Sequence, residues 1–568
     1  MKDIILKHVL KNALDFNGKA NAGVVLGLTL KERPELKKDV PKVMKEIQKT
    51  IAEVEQMELK KIKEMLKKLA PEMLKEGKES KEKVEGPLKP LLKAVKGKVV
   101  TRIAPSPSGP LHIGHAYGVS LNYEYAKMYK GKFIIRVEDT NPENIYPPAY
   151  KQIEEDIQWL AENNVAEIIV QSSKLGVYYD CAEKLVNTNK AYVCTCDADE
   201  WREKKNKGRA CPCRALSSKE NQLRYAKMFS SYAEGEAVLR LKTDISHKNP
   251  AMRDFPIMRV NEHVHPKTGN KQRVWPLMVF SVAIDDHELG ITHVLNGKDH
   301  ADNAQKEMMI MDCFGWKHPE YKHWGRINFA GFKLSTSETR KAVEQGEYSG
   351  WDDIRLPFLP ALRRRGYQAE AFRKFALDIG LSLNDKTVSQ EEFWKTVNAF
   401  NKEIIEKKAN RYFFIDNPVE ITIENAPAKE VLLDLHPDFP KRGKRKFKAD
   451  KKVYLSRDEL KLLDKKALHR LMDYCNFRAA DNKWNFVSQD YEEYKNTGNK
   501  GSIIHWLPAE KNLPKVEVVL EDGSTASGLG EKGLLDLKEG EIVQLERRYF
   551  ARLDRKEKNK LIFYYLHK

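Results

Sequence analysis

From Val43 onward, apolar residues recur at Val43, Ile47, Ile51, Val54, Ile62, Met65 and Leu69, mostly three or four apart, with polar residues between them. That period is the apolar stripe of amphipathic helices. Pro71 and the polar run EGKESKEKVEGP loosen it into a linker, so residues 1–97 read as a small helical appendage. At Lys98 the period changes. KVVTRIA is a short β-branched strand, PSPSGP a loop, and LHIGHAYGVSLNYEYAKMYKGK a helix closing near Gly131. KFIIRVED, YKQIEEDIQWLAEN and AEIIVQSS then predict strand, helix and strand. Such alternation predicts a parallel sheet with crossover helices. After about residue 345, LPALRRRGYQAEAFRKFALDIG returns to helix. From about Pro418, short stretches such as VEITIENAP, KVEVVLEDGSTASG and KLIFYYLHK alternate with turn residues and predict β-barrels. The expected fold is a multidomain α/β chain, divided at 1–97, 98–345, 346–417 and 418–568.

Composition narrows the class. At 568 residues the chain is too long for one core. No segment approaches the ~18 apolar residues of a membrane span, and MKDIILKHVLKNALDF lacks the features of a signal peptide. A cytoplasmic protein with no membrane partner is expected. The net charge of +18 points to a polyanion, RNA or DNA first. Residues 1–98 hold 24 Lys/Arg against 15 Asp/Glu, half of that excess, and are expected to meet protein partners or RNA.

The stretch RIAPSPSGPLHIGHAYG concentrates the chemistry. A strand tip at Arg102 lies where open α/β sheets bind ligands. The loop lets backbone approach a ligand, and the next helix begins with His112 and His115 on its first turn. A helix N-terminus suits phosphate, and two imidazoles add donors for a phosphoryl group. Gly114 leaves room for a flat ring such as a purine. Histidines three apart also suit a surface turn or a metal pair; the strand and loop ahead of them favour the nucleotide. Arg102 can meet a substrate carboxylate as a two-pronged fork.

HIGH, His112 to His115, resembles one signature of the class I aminoacyl-tRNA synthetases, and KLSTS, Lys333 to Ser337, resembles their second. TRIAPSPSGPLHIGHA, RVEDTNP, YVCTC with CPCR, DDHELGITHV, GEYSGWDDIRL and GEIVQLERRYF resemble the archaeal-type glutamyl-tRNA synthetases, and the resemblance runs along essentially the whole chain. It implies a Rossmann-like catalytic domain with an insertion over about 190–255 near the tRNA acceptor end, a helical connector and anticodon-binding barrels. It also implies the family reaction. Glutamate and ATP·Mg²⁺ form glutamyl-adenylate, and glutamate passes to the 3′ end of tRNA(Glu), with tRNA(Gln) a second candidate. His112 and His115 are then expected at the α-phosphate, and Lys333, Ser335 and Ser337 at the pyrophosphate. Pro107, Gly109, Gly114 and Leu334 complete the ATP pocket. Arg102, Ala104, Ser106, Glu138, Met278 and Asn296 match the amino-acid pocket, with Glu138 holding the α-ammonium.

The chain departs from this family at two pocket positions and at one further motif position. Met278 stands where the family usually has Tyr, Asn296 where it has Arg, and Asn141 where it has Asp. Losing a desolvated Arg from a carboxylate costs about 2–5 kcal/mol. Altered specificity, including for glutamine, or a tRNA-binding protein without activation activity are therefore the alternatives.

Four of the seven cysteines, Cys194, Cys196, Cys211 and Cys213, form two close pairs. Four thiolates suit structural Zn²⁺, and two disulfides are disfavoured in a reducing interior. Two basic runs, LRRRGY (362–367) and KRGKRKFK (441–448), are candidates for RNA backbone contact.

Overall fold

The computed structural model describes residues 1–16, 18–74, 88–480, 483–558 and 560–568, in two units, Met1–Val84 and Glu85–Lys568. Among its described residues the first unit has four α-helices: α1 (Lys2–Asp15), α2 (Ala22–Glu32), α3 (Val40–Val54) and α4 (Leu59–Leu69). Asn21 caps α2 by accepting from Gly23 N–H (3.0 Å) and Val24 N–H (3.1 Å). Val43, Ile47, Val54 and Ile62 are fully buried, as their spacing predicts, but Leu69 is 38% exposed and Leu66 takes the core position. The break between α3 and α4 resets the helical phase, which a single run of spacings cannot show.

Residues 88–97 belong to the second unit rather than to the appendage. Leu91 N–H donates to Tyr129 Oη (2.9 Å), Tyr125 Oη to Lys89 O (3.1 Å), and His293 Nε2 lies 3.0 Å from Leu92 O. The predicted α/β alternation then begins with β1 (Val100–Ile103), α5 (Ile113–Met128), β2 (Lys132–Val137), α6 (Ala149–Leu160) and β3 (Glu167–Val170). The strands are parallel in the order β1-β2-β3, with Arg102 opposite Ile134. Gly131 turns the chain into β2 where a Cβ would lie 2.0 Å from Val99 O.

After α7 (Leu175–Asn187) comes the insertion, an antiparallel sheet of β4 (Ala191–Cys194), β5 (Val238–Leu241), β6 (Pro256–Val260) and β7 (Val274–Pro276). It continues to Pro276, beyond the 255 expected from the sequence, because β6 and β7 pair across a long turn. Between β4 and β5 lie α8 (Ala198–Asn206) and α9 (Ser218–Met228). The parallel pattern resumes with α10 (Met278–Glu288), β8 (His293–Gly297), α11 (Ala301–Phe314) and β9 (Glu320–Trp324). β8 pairs with β9 and runs beside β1, where Thr292 N–H donates to Val100 O (3.1 Å). From β1 the chain thus goes to β2 on one side and returns to β8 on the other. The crevice at the strands' carboxyl ends lies at that switch.

Helices α12 (Thr336–Glu344), α13 (Leu359–Arg365), α14 (Ala369–Ile379) and α15 (Gln390–Ile405) follow. Barrel strands begin at Arg411, somewhat ahead of the expected Pro418. Among the described residues the rest holds a two-stranded hairpin of Lys429–Asp434 with Lys444–Ala449 and two seven-stranded sheets. In one, the edge strands are Arg411–Tyr412 and Phe414–Asp416, neighbours in the chain, so the sheet nearly closes on itself. Phe550 and Leu566 of this sheet join the core that carries Leu111, Ile113 and Val119. No helix among the described residues is long and apolar enough to cross a membrane.

Candidate active site

The histidine pair is built by the start of α5. His112 is its N-cap, in extended conformation, and its Nδ1 accepts from Gly114 N–H at 3.0 Å. His115 Nδ1 accepts from His112 N–H at 3.3 Å, and the two rings are 3.8 Å apart. Both Nδ1 atoms are acceptors, so both ring protons sit on Nε2. Each ring therefore has an Nε2–H donor that its own helix does not use. Burial pushes His112 down to about 2, with neighbouring His115 adding to the shift. Desolvation by the surrounding protein pushes His115 down to about 4, although the residue itself is exposed. Both are neutral dipolar donors at pH 7. Gly114 clears space for the His112 ring itself, since a Cβ there would lie 2.9 Å from His112 Cε1. The pair is backed by residues with no motif to announce them. Ile113 N–H donates to Pro357 O (3.2 Å), Leu359 N–H to Leu111 O (2.8 Å), and Phe358 meets His112 edge-on.

The loop ahead of the first signature meets the second. A Cβ on Gly109 would lie 2.3 Å from Thr336 Cγ2, so only glycine allows this approach. Ser335 caps α12, its Oγ accepting from Glu338 N–H (3.4 Å) and lying 3.3 Å from Ser337 Oγ. Lys333 is exposed and has no ion pair among the described residues. Leu334 packs against the core that carries Leu111 and Ile113. The loop's carbonyls are held in turn: Glu138 N–H donates to Pro105 O (2.9 Å), Ser108 N–H to Ser106 O (2.9 Å) and Tyr146 N–H to Pro107 O (2.8 Å). Ala104 opens this loop at the end of β1.

At that strand end the charged groups form a buried cluster. Arg102 donates from Nε and Nη2 to both oxygens of Asp286 (3.1 and 3.0 Å). Arg136 donates to Asp286 (2.5 Å) and to Glu138 (3.1 Å). The fork expected to take a substrate carboxylate is thus engaged by Asp286, and Nη1 is what Arg102 offers beyond it. Asp286 is fully buried, which would raise its pKa, yet the two guanidinium groups hold it below the usual carboxylate range. Burial raises Glu138 against the pull of Arg136 and Arg102. Glu307, also buried, is pushed up to about 7 by desolvation and then by Asp286, and it accepts from Tyr321 Oη at 3.1 Å. Neither Met278 nor Asn296 bonds to this cluster among the described residues. Met278 is half-buried against the insertion's core, and Asn296 Oδ1 is 2.6 Å from His323 Nδ1 on the next strand.

Models of the class I tRNA synthetases (E and Q) match this chain, the catalytic domain over residues 98–407 and the anticodon-binding domain over 409–495 and 503–554. The chain belongs to that family. It is 44% identical to a protein of Pyrococcus furiosus named glutamate–tRNA ligase, over 100% of both chains. Proteins of that name from Methanothermobacter thermautotrophicus (42%) and Thermococcus kodakarensis (41%) also match over 100% of both chains.

A class I synthetase uses ATP, generally with Mg²⁺, and this one also has a place suited to a structural metal. The four sulfurs at the end of β4 and in the turn at Cys211–Cys213 lie within 4.8 Å of one another, with Cys194 to Cys211 at 3.9 Å and Cys196 to Cys213 at 3.7 Å. None is in a disulfide. A tetrahedron with metal–sulfur bonds of about 2.3 Å has edges of about 3.8 Å, so the donor set fits Zn²⁺. Arg224 Nη1, 3.5 Å from Cys213 Sγ, suits thiolate charge.

In the synthetase's two basic runs the arginines of the first and Arg445 of the second are engaged by the fold, while Lys441, Arg442, Lys444, Lys446 and Lys448 remain exposed. Arg363 pairs with Asp156 (3.0 Å), Arg364 with Asp554 (3.1 Å), and Arg365 donates to the carbonyls of Tyr565 and Leu566. Arg445 is buried between Glu531 (2.9 Å) and Glu546 (2.8 Å), while Lys444 and Lys446 pair with Asp434 and Glu430. Arg363 ties α13 to α6, Arg364 and Arg365 tie α13 to the barrel, and Arg445 braces the barrels themselves. Asp286, Arg136 and Phe358 escaped sequence reasoning; charged residues inside apolar runs were the available signal for the first two.

Proposed function

We propose that this chain is a glutamate–tRNA ligase, activating glutamate with ATP and passing it to the 3′ end of tRNA(Glu). The observation that carries the reading is the close approach of Gly109, in the loop that leads into His112, to Thr336 of Lys333–Ser337. Its full-length relatives bear that name.

ATP lies along the loop, with Pro107, Gly109, Gly114 and Leu334 lining the nucleotide. The Nε2–H groups of His112 and His115 donate to α-phosphate oxygens. A glutamate carboxylate oxygen attacks that phosphorus, and the bond to the β-phosphate breaks. Charge moves onto the departing pyrophosphate, where Lys333 and the hydroxyls of Ser335 and Ser337 receive it. Mg²⁺, when bound, neutralises phosphate charge. A terminal hydroxyl of tRNA then attacks the activated carbonyl, and AMP leaves. Glu138 takes the amino acid's ammonium, which offsets the burial of its own charge. Arg102, Ala104, Ser106, Met278 and Asn296 complete the amino-acid pocket. The cysteine quartet holds Zn²⁺ as a structural knuckle. Residues 98–345 carry the chemistry, 346–417 connect, and 418–568 bind the anticodon arm, in the cytoplasm. The basic appendage meets protein partners, and tRNA(Gln) is a second acceptor.

The test is tRNA-dependent ATP–pyrophosphate exchange with each of the twenty amino acids. Exchange with glutamate alone is expected. Exchange with another amino acid instead, or with none, would overturn the assignment.

A further inference from the structure

The insertion is fastened to the tip of β2 by a histidine that the chemistry above does not use. His265 sits in the turn between β6 and β7 with no exposed surface. Its Nδ1 accepts from Lys267 N–H (3.1 Å) and Thr268 N–H (3.3 Å), so the ring proton lies on Nε2. That Nε2–H reaches across to the main-chain carbonyl of Asp139 at 3.0 Å. The ring stacks on Trp275, with centroids 5.0 Å apart. The Asp139 carboxylate, whose Oδ2 lies 3.4 Å from the same Nε2, is held chiefly from other elements: Ser172 N–H and Oγ and Tyr150 Oη each donate at 2.7 Å. A second clasp lies beside the first. Arg259 on β6 donates to Asn141 (2.8 Å) and Glu143 (3.3 Å), and Asn261 donates to Glu143 (2.5 Å). Asn141, a departure from the resembling family, is thereby given a partner.

The residue before Asp139 is Glu138. Its carboxyl direction depends on the backbone of the strand tip, and that backbone is pinned on one side by Pro105 O and on the other by His265. We propose that His265 is a positioning residue for the amino-acid pocket, tying the insertion's β6–β7 turn to the Asp139 carbonyl, one residue beyond Glu138. A buried N–H to C=O bond whose donor ring is locked by two backbone donors is a rigid strut. The insertion and the pocket therefore move as one piece. This inference rests on the reading of Glu138 as a ligand for the amino acid.

The full chain is tested with His265→Phe, which keeps the stack on Trp275 but has no donor, and with His265→Gln, whose terminal amide reaches about as far as Nε2. Steady-state aminoacylation should show the glutamate KM raised by up to about 100-fold in His265→Phe. The ATP KM should stay within about twofold of wild type, and His265→Gln should recover most of the loss. Hydrogen exchange, read without substrate, should be faster at the Glu138 and Ser172 amides in His265→Phe and unchanged at Ala116 in α5. If His265→Phe does not fold, Arg259→Met at the half-exposed second clasp is read in its place. Unchanged exchange at Glu138 and Ser172, equal rises in both KM values, or no recovery by His265→Gln would overturn the proposal. A wild-type protein without glutamate-dependent aminoacylation would refute the ligase reading, and the exchange arm would still decide the clasp.

Discussion

His112→Asn separates two jobs held by one ring. As an N-cap, His112 accepts from Gly114 N–H at 3.0 Å through Nδ1. Asparagine is a good N-cap, with its Oδ1 near the place of Nδ1. The helix start and its contact with Leu359 should therefore survive. What asparagine cannot supply is the Nε2–H, which lies farther along the ring. Removing one preorganised donor from a developing oxyanion costs about 2.7–4 kcal/mol, a factor of about 10² to 10³ in rate. His112→Gln extends the amide toward the missing donor and should recover part of it. The assay is single-turnover adenylate formation with tRNA present, alongside a thermal melt. The expected result is a loss of that size for asparagine with the melting temperature unchanged, and a smaller loss for glutamine. Because burial holds His112 near about 2 and His115 near about 4, neither ring should titrate between pH 6 and 8 in the free enzyme. A wild-type rate from His112→Asn would refute the donor assignment. A collapse in stability would show that the ring's burial, rather than its proton, is what the site needs.

Gly109→Ala should lower activity by about 10- to 100-fold through an overlap worth about 1–3 kcal/mol, and Thr336→Ser, which removes the Cγ2 that the new methyl meets, should restore it; kcat of the single and double variants checks this. Cys194→Ser should release metal and soften the insertion, read by metal content and limited proteolysis, with wild-type protein expected to carry about one zinc. His505 and His567 are buried, with pKa values pushed down to about 4 by desolvation. The unfolded chain takes up these protons below about pH 6.5 while the folded chain does not until about 4, so stability falls as pH drops through that window, by up to about 3 kcal/mol for each ring at its lower end. Urea midpoints between pH 7 and 4.5 measure it, and a midpoint that rises on acidification would contradict the burial of these rings.

The sequence by itself determined much of the architecture. A strand, a Pro- and Gly-rich loop and a helix opening on His112 are a local pattern, set by β-branching, turn chemistry and capping over some twenty residues. The same holds for the four-helix appendage, whose Val43, Ile47, Val54 and Ile62 stripe is buried as its spacing requires. The close cysteine pairs could be read for the same reason. What only the tertiary structure decided concerns partners far apart in the chain. Arg102 as a lone strand-end cation reads as a substrate fork; the fold brings Asp286 to it from another helix and occupies that fork. LRRRGY and KRGKRKFK read as basic surface; the fold supplies Asp156, Asp554, Glu531 and Glu546 to Arg363, Arg364 and Arg445, while Lys441, Arg442, Lys444, Lys446 and Lys448 stay exposed. The contact of Gly109 with Thr336, and of His265 with Asp139, has no counterpart in any local pattern. Spacing along a helix or strand reports which face a residue occupies. The charge or carbonyl that will face it is set by which elements pack together, and that depends on the whole chain closing around its cores.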